Sequence, residues 1–150
     1  MDESARPATV AETLQRVDAG WHGFGAALAA VPAERLNEHI GQGWTRKQML
    51  AHLTTWHDHA AERLAAFLVD GEVHRLAEDD DTVNARVARA AEGRTTGEIL
   101  DALETSFRRL RRQIGYLADE QLAAHEGWPL AVIASNTYEH YAAHRRDIAG

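Results

Sequence analysis

The chain has 150 residues, 45% of them apolar, and a formal net charge of −7. It is long enough for a single domain over residues 1–150 with a real core, and it has no apolar run near the ~18 residues that cross a bilayer, which excludes a membrane partner by that route. Net acidity argues against nucleic acid as the main partner, and the absence of cysteine leaves His, Asp and Glu as metal ligands and requires any reactive thiol to come from outside.

The start, Met1-Asp2-Glu3-Ser4, is acidic and lacks the basic-then-apolar order of a secretory signal, so a cytoplasmic location is expected. The first predicted helix runs from about Thr9 to Ala30. Val10, Leu14, Val17, Trp21, Phe24 and Leu28 recur at spacings of three and four and draw one apolar stripe. Gly20, Gly23 and Gly25 in its later part permit either close packing or a bend. Pro32, Gly41 and Gly43 mark the connection that follows.

A second helix opens at Thr45, with Gln48 three residues on as in a capping box, and runs to about Val69 before Asp70-Gly71. Its stripe is Met49, His52, Leu53, Trp56, Ala60, Leu64 and Phe67. The acidic run Glu78–Asp81 suits the positive end of a helix dipole, which predicts a short helix from about Asp81 to Ala91, stopped by Gly93. The third long helix starts near Thr95 or Thr96 and carries Ile99, Leu103, Phe107, Leu110, Ile114 and Leu117. The Arg108–Arg112 cluster on it reads as a solvated face. A loop spans Asp119 to Trp128, and a fourth helix runs from about Pro129 to Ile148, with proline in its first turn. Four long amphipathic helices and no alternating strand pattern imply an all-α bundle. Lys47 is the only lysine beside many arginines and alanines, a composition that suggests a GC-rich bacterial origin.

The nine histidines are not equivalent. His140 and His144 lie four residues apart on a predicted helix, so they stand about 40° apart around its axis and ~6 Å along it. Both imidazoles can reach one ion. They share the inward stripe of Leu130, Ile133 and Thr137, and His52 sits on the inward stripe of helix two. A ligand from a second helix closes a facial set with open positions, as in catalytic sites. The competing account is three buried, hydrogen-bonded imidazoles without metal, but few polar residues line these stripes. His57 is about 140° away from His52 around the helix and cannot share the site. His59 suits the rim. His22 is one place off its stripe, and His39, His74 and His125 fall in connections and read as surface residues. Trp56 either walls the site or packs in the core; Tyr138 and Tyr141 either line the pocket or pack between helices. Catalytic residues beyond the ligands are not identifiable, and Asp58, Glu62 and Glu139 read as solvated or pointing away.

The segment Gly43–Trp56, with His52, resembles the second helix of the DinB/YfiT-like bundle superfamily, and Asn136–His144 resembles its His-x-x-x-His fourth helix. The likeness in helix order and length extends over nearly the whole chain. The resemblance implies an antiparallel four-helix bundle with a long crossover between helices two and three, a divalent metal (Zn, Ni or Fe) on His52, His140 and His144, and a homodimer. The superfamily includes mycothiol-dependent maleylpyruvate isomerases and bacillithiol-type S-transferases. The expectation is therefore a metal-dependent enzyme that uses a low-molecular-weight thiol such as mycothiol on a small-molecule substrate. The alternatives are a metal-water hydrolase or a non-catalytic, stress-linked metal-binding bundle. The C-terminal domain of the mycothiol-dependent isomerases has no counterpart in this sequence. The colibactin-resistance hydrolases resemble the chain in length and form, but the intact triad argues against that branch.

Overall fold

A computed structural model describes residues 6–150; the acidic start read above as Met1 to Ser4 lies outside the described residues. The helices are α1 (Val10–Ala29), α2 (Arg46–Asp70), α3 (Asp80–Ala91), α4 (Thr96–Gly115), α5 (Ala124–Asn136) and α6 (Tyr138–Ala149). Local chemistry sets their ends. Thr45 and Gln48 form the expected capping box: the Thr45 hydroxyl accepts from the Gln48 amide at 3.1 Å and the Gln48 side chain accepts from the Thr45 amide at 2.9 Å. Thr95 and Glu98 repeat it at the start of α4. Asp79 caps α3 by accepting from the Thr82 amide at 2.8 Å. Gly71, at φ 73°, closes α2 in the left-handed conformation that glycine adopts without steric cost.

These elements form an antiparallel four-helix bundle whose rods are α1, α2, α4 and the α5–α6 pair, with α3 in the long crossover between α2 and α4. No strand is present among the described residues beyond an isolated bridge between His39 and Thr45. The core is built from the expected stripes: Val17 and Phe24 of α1, Leu53 and Leu64 of α2, Ile99, Leu110 and Ile114 of α4, Ile133 of α5 and Ile148 of α6 are all buried. The α2 helix packs mainly on α4, and α1 mainly on α6; α2 also packs on α5, while its direct contact with α6 is slight.

The fourth helix differs from its expected form, because it is broken. Thr137 leaves the helical region at φ −127° and ψ −106°. Its hydroxyl donates to the Ile133 carbonyl at 2.7 Å, and the Asn136 amide donates to the Val132 carbonyl at 2.8 Å. The Thr137 amide bonds to the Ala134 carbonyl at 3.4 Å, so the Thr137 hydroxyl takes up the Ile133 carbonyl that the broken ladder leaves open. Upstream, His125, Glu126 and Gly127 are left-handed, so the regular part of α5 begins near Pro129 as the sequence suggests.

Of the glycines in α1, Gly20 is the one that close packing requires. A β-carbon there would stand 3.0 Å from Tyr138 Cβ and 3.1 Å from Tyr138 Cα, where α6 begins. At Gly25 nothing lies within 4 Å of that position. Alanine in a helix is ordinarily favoured over glycine by ~1 kcal/mol. Gly25→Ala should therefore raise the unfolding midpoint, and Gly20→Ala should lower it because a backbone atom cannot move aside. A stabilised Gly20→Ala in urea or thermal melts would disprove the close contact between α1 and α6.

Candidate metal centre

His52 lies in the second turn of α2, and the Thr45 capping box fixes where that helix starts and so which face His52 presents. His140 and His144 stand one turn apart on α6. Their ring centroids are 4.8 Å (His52–His140), 5.3 Å (His52–His144) and 4.8 Å (His140–His144) apart. One ring nitrogen from each of the three lies within 4.8 Å of the others, so the set can hold a metal ion. Two nitrogens bound to one tetrahedral ion at about 2.1 Å stand ~3.4 Å apart. The His52 and His140 Nε2 atoms are at 2.9 Å and the set as a whole lies within 4.8 Å, distances that bracket this value.

The hydrogen bonds around the cluster decide which nitrogens are free. Trp56 Nε1 can only donate, and its partner at 2.9 Å is Asn84 Oδ1. The same oxygen lies 3.0 Å from His52 Nδ1, which must then be the protonated nitrogen. His52 Nε2 is left with its lone pair facing His140. A partner that fixes the tautomer in this way is a regular companion of histidine ligands. His144 Nδ1 faces the Asp147 carboxylate at 3.4 Å, which favours a bare Nε2 there too. His140 Nδ1 is buried without a hydrogen-bond partner among the described residues. Burial pushes the pKa of His52 down to about 4 and that of His140 to about 3, with the neighbouring imidazoles adding to both. At neutral pH these imidazoles are uncharged donors, the form that binds a divalent ion.

His57 behaves as the helical angle requires and stays out of the cluster. It is fully buried between α2, α4 and α6. Ser106 Oγ donates to the Leu103 carbonyl at 2.9 Å and so accepts from His57 Nδ1 at 2.9 Å; His57 Nε2 accepts from the Tyr141 hydroxyl at 2.7 Å. Tyr141 is therefore a packing residue with a polar anchor. Trp56 both walls the site and holds Asn84. His59 packs beside Trp56, with ring centroids 5.5 Å apart. His22, His39 and His125 are exposed, and His74 pairs with Asp70 at 2.9 Å.

The cluster opens on a pocket of about 510 Å³ lined by His52, Trp56, Arg63, Arg75, Asp80, Asn84, Asn136 and His140, among others. Sequence reasoning missed Asn84, Arg63 and Arg75. For Arg63 a signal existed: it is eleven residues after His52, about 20° away around α2 and three turns further along. Arg75 sits in an irregular connection and Asn84 on the crossover helix, so no periodicity relates them to His52.

The structure is thus an all-α bundle in which three histidines from two rods converge on a point that could hold a metal ion. The chain belongs to the DinB superfamily, whose family model matches residues 4–147. Among solved structures, an uncharacterised protein from Escherichia coli UTI89 is 16% identical with a TM-score of 0.79, covering 95% of this chain and 92% of that one. The colibactin self-resistance protein ClbS, solved in complex with a dsDNA, is 13% identical with a TM-score of 0.79, covering 96% of this chain and 95% of that one. Likeness at this identity shows the shared fold. A search of curated protein sequences finds no match.

The ClbS complex corrects one expectation. Net charge argues against nucleic acid, yet a protein of this fold is seen on duplex DNA. Net charge sums the whole surface, whereas phosphate contact depends on the local field. The Arg108–Arg112 cluster is not such a local field here: Arg108 pairs with Glu104, Arg109 with Asp58 and Arg111 with Asp18. No helix is long and apolar enough to cross a membrane, searched over the described residues.

Burial pushes the His57 pKa down to about 3, from an ordinary value near 6.5. The unfolded chain then binds a proton at this residue that the folded chain refuses, across the window from about pH 6.5 to about pH 3. Stability contributed here is complete above the unfolded value and is lost as pH falls through that window. In urea melts between pH 7 and pH 5, His57→Gln should flatten the fall in stability by up to one proton's worth of slope. An unchanged slope would show that folded His57 takes up its proton normally.

Proposed function

We propose that this protein is a metal-dependent enzyme that activates an external low-molecular-weight thiol for transfer or isomerisation, with His52, His140 and His144 as the metal ligands. The observation that carries the reading is that His52 and His140 line an open polar pocket instead of being sealed by apolar side chains. A storage or purely structural site has no need of that opening. A divalent ion held by three neutral imidazoles supplies positive charge that lowers the pKa of a thiol or a water placed beside it. The chain's own residues orient and insulate: Asn84 fixes the His52 tautomer, Asp147 faces His144, and Trp56 closes one wall. Since the chain has no cysteine, sulfur must arrive as a co-substrate.

A second reading has an observation of its own. The Asp80 carboxylate lines the same pocket, where it is available as a general base for a water nucleophile. Hydrolysis then needs no thiol. The ClbS complex adds duplex DNA to the ligands worth testing in either case.

Cobalt loading distinguishes these readings. His52→Ala, His140→Ala and His144→Ala should each abolish stoichiometric binding, while His125→Ala should retain it. A thiol added to the loaded protein should produce a sulfur-to-cobalt charge-transfer band that strengthens as pH rises toward about 8.5. Turnover of an electrophilic test substrate should require both metal and thiol. Turnover without thiol, with a pH profile set near about 7, would favour the hydrolase. A spectrum indifferent to mycothiol, bacillithiol, glutathione and coenzyme A would eliminate the thiol reading, and full metal content in a ligand variant would eliminate the ligand assignment.

A further inference from the structure

The histidine pocket does not end at the histidines. Arg63, Arg75 and Ser135 line it and also line a second pocket of about 600 Å³, whose walls include Trp128, Leu130 and Tyr138. The two arginines thus stand at the junction of a chamber that holds His52 and His140 and a second chamber whose walls mix Trp128, Leu130 and Tyr138 with charged groups such as Arg16 and Glu139.

The arginines at this junction differ from three on α4. On α4, Arg108, Arg109 and Arg111 each meet a carboxylate. Arg63 and Arg75 meet none within ion-pair distance among the described residues. Glu78, which shares the pocket, is taken by Arg86 at 2.6 Å. Arg63 is half-buried and held in place: its Nε donates to the His74 carbonyl at 2.9 Å, and its guanidinium lies over the Trp128 ring at 5.6 Å. Its four remaining N–H donors have no protein acceptor among the described residues. Burial and the Arg75 charge both press the Arg63 pKa below its ordinary value, and Asp80 opposes them less strongly. Two like charges kept close together, one of them fixed and partly desolvated, are a site that an anion relieves.

We propose that Arg63 and Arg75 bind the carboxylate or phosphate group of an elongated small molecule whose apolar part lies against Trp128 and whose other end reaches the histidine centre. The inference rests on the reading of that centre as the reactive one and names the class of molecule it serves. Extent follows from the two pockets. The Cα atoms of His52 and Arg63 are three turns and ~16 Å apart along one face of α2, their side chains line one pocket of about 510 Å³, and the arginines continue into the second, so a ligand that touches Trp128 and the histidines has to run through both.

Calorimetry on metal-free protein tests the anion site without relying on the metal. The probes are hexanoate and hexyl phosphate, with uncharged hexanamide as the control. At least one anion should bind tenfold or more tightly than the amide, and the stronger of the two identifies carboxylate or phosphate as the group. Arg63→Gln and Arg75→Gln should each weaken that anion about tenfold and leave the amide unchanged, whereas Arg111→Gln on α4 should change neither. Equal affinity for anions and amide, or full affinity in both glutamine variants, overturns the proposal. So does duplex DNA binding that disappears in the same two variants while neither hexyl anion binds. His140→Ala separates this result from the metal reading. Loss of metal with anion binding intact supports the anion site by itself, and metal binding intact with no anion binding refutes it by itself.

Discussion

The position of α6 against α2 rests on two buried polar links. His52 is on α2 and its partners are on α6, yet these helices hardly touch; α6 lies mainly on α1. One link is the Tyr141 hydroxyl on His57, at 2.7 Å. The other is Arg46, itself buried, whose Nε donates to the Ile148 carbonyl at 2.8 Å near the end of α6, and whose guanidinium also reaches the Arg35 carbonyl and Glu38. A buried hydrogen bond adds ~1 kcal/mol net, but removing one partner strands the other at a cost of ~1–3 kcal/mol. The links therefore matter less as glue than as registers. A slide of α6 by one residue would leave the Arg46 Nε donor and the buried Tyr141 hydroxyl unpaired, and both errors would have to be accepted together.

Such registration is needed because the fourth rod is not one helix. The break at Thr137 frees α6 to lie along α1 while α5 lies along α2, and it places His140 in the first turn after the break. Gly20 permits that arrangement by letting α1 approach the backbone of Tyr138. A straight fourth helix would keep the i, i+4 relation of His140 and His144, but its axis, and with it the direction of both rings toward His52, would be continuous with α5. The break, the glycine and the two polar links are thus parts of one constraint.

This separates what the sequence reveals from what it conceals. Relations inside one element were legible. The capping box at Thr45, the start of the third long helix near Thr95, the glycine stop at Gly71, the pairing of His140 with His144 and the exclusion of His57 all follow from the geometry of a single helix. The break at Thr137 was not legible. No proline marks it, and the stripe of Leu130, Ile133 and Thr137 runs on in the sequence as though the helix did. At the break Thr137 and Asn136 bond to the Ile133 and Val132 carbonyls, but Thr54 makes the same kind of bond in the middle of an unbroken α2, so residue type alone does not mark the stop. Asn84, Arg46 and Arg75 were hidden for a related reason. Each acts across elements, and spacing along a chain carries no information about that.

The failure of net charge as a guide to partners has the same origin, in distance. At physiological ionic strength a charge is screened over about 8 Å. The acidic residues that give the chain its −7 are spread over the chain, and some, Glu78, Glu104 and Asp18 among them, are spent on arginines beside them. A ligand inside the cleft meets Arg63 and Arg75 together with Asp80, Glu78 and the His52 and His140 imidazoles, while carboxylates more than a screening length away contribute little to its energy. An ion on the histidines would make that interior more positive. The outer field of an acidic protein and the local field around two neighbouring arginines are therefore separate quantities: the first sets the approach of large charged surfaces, the second the binding of whatever enters. A total taken over the whole sequence describes only the first.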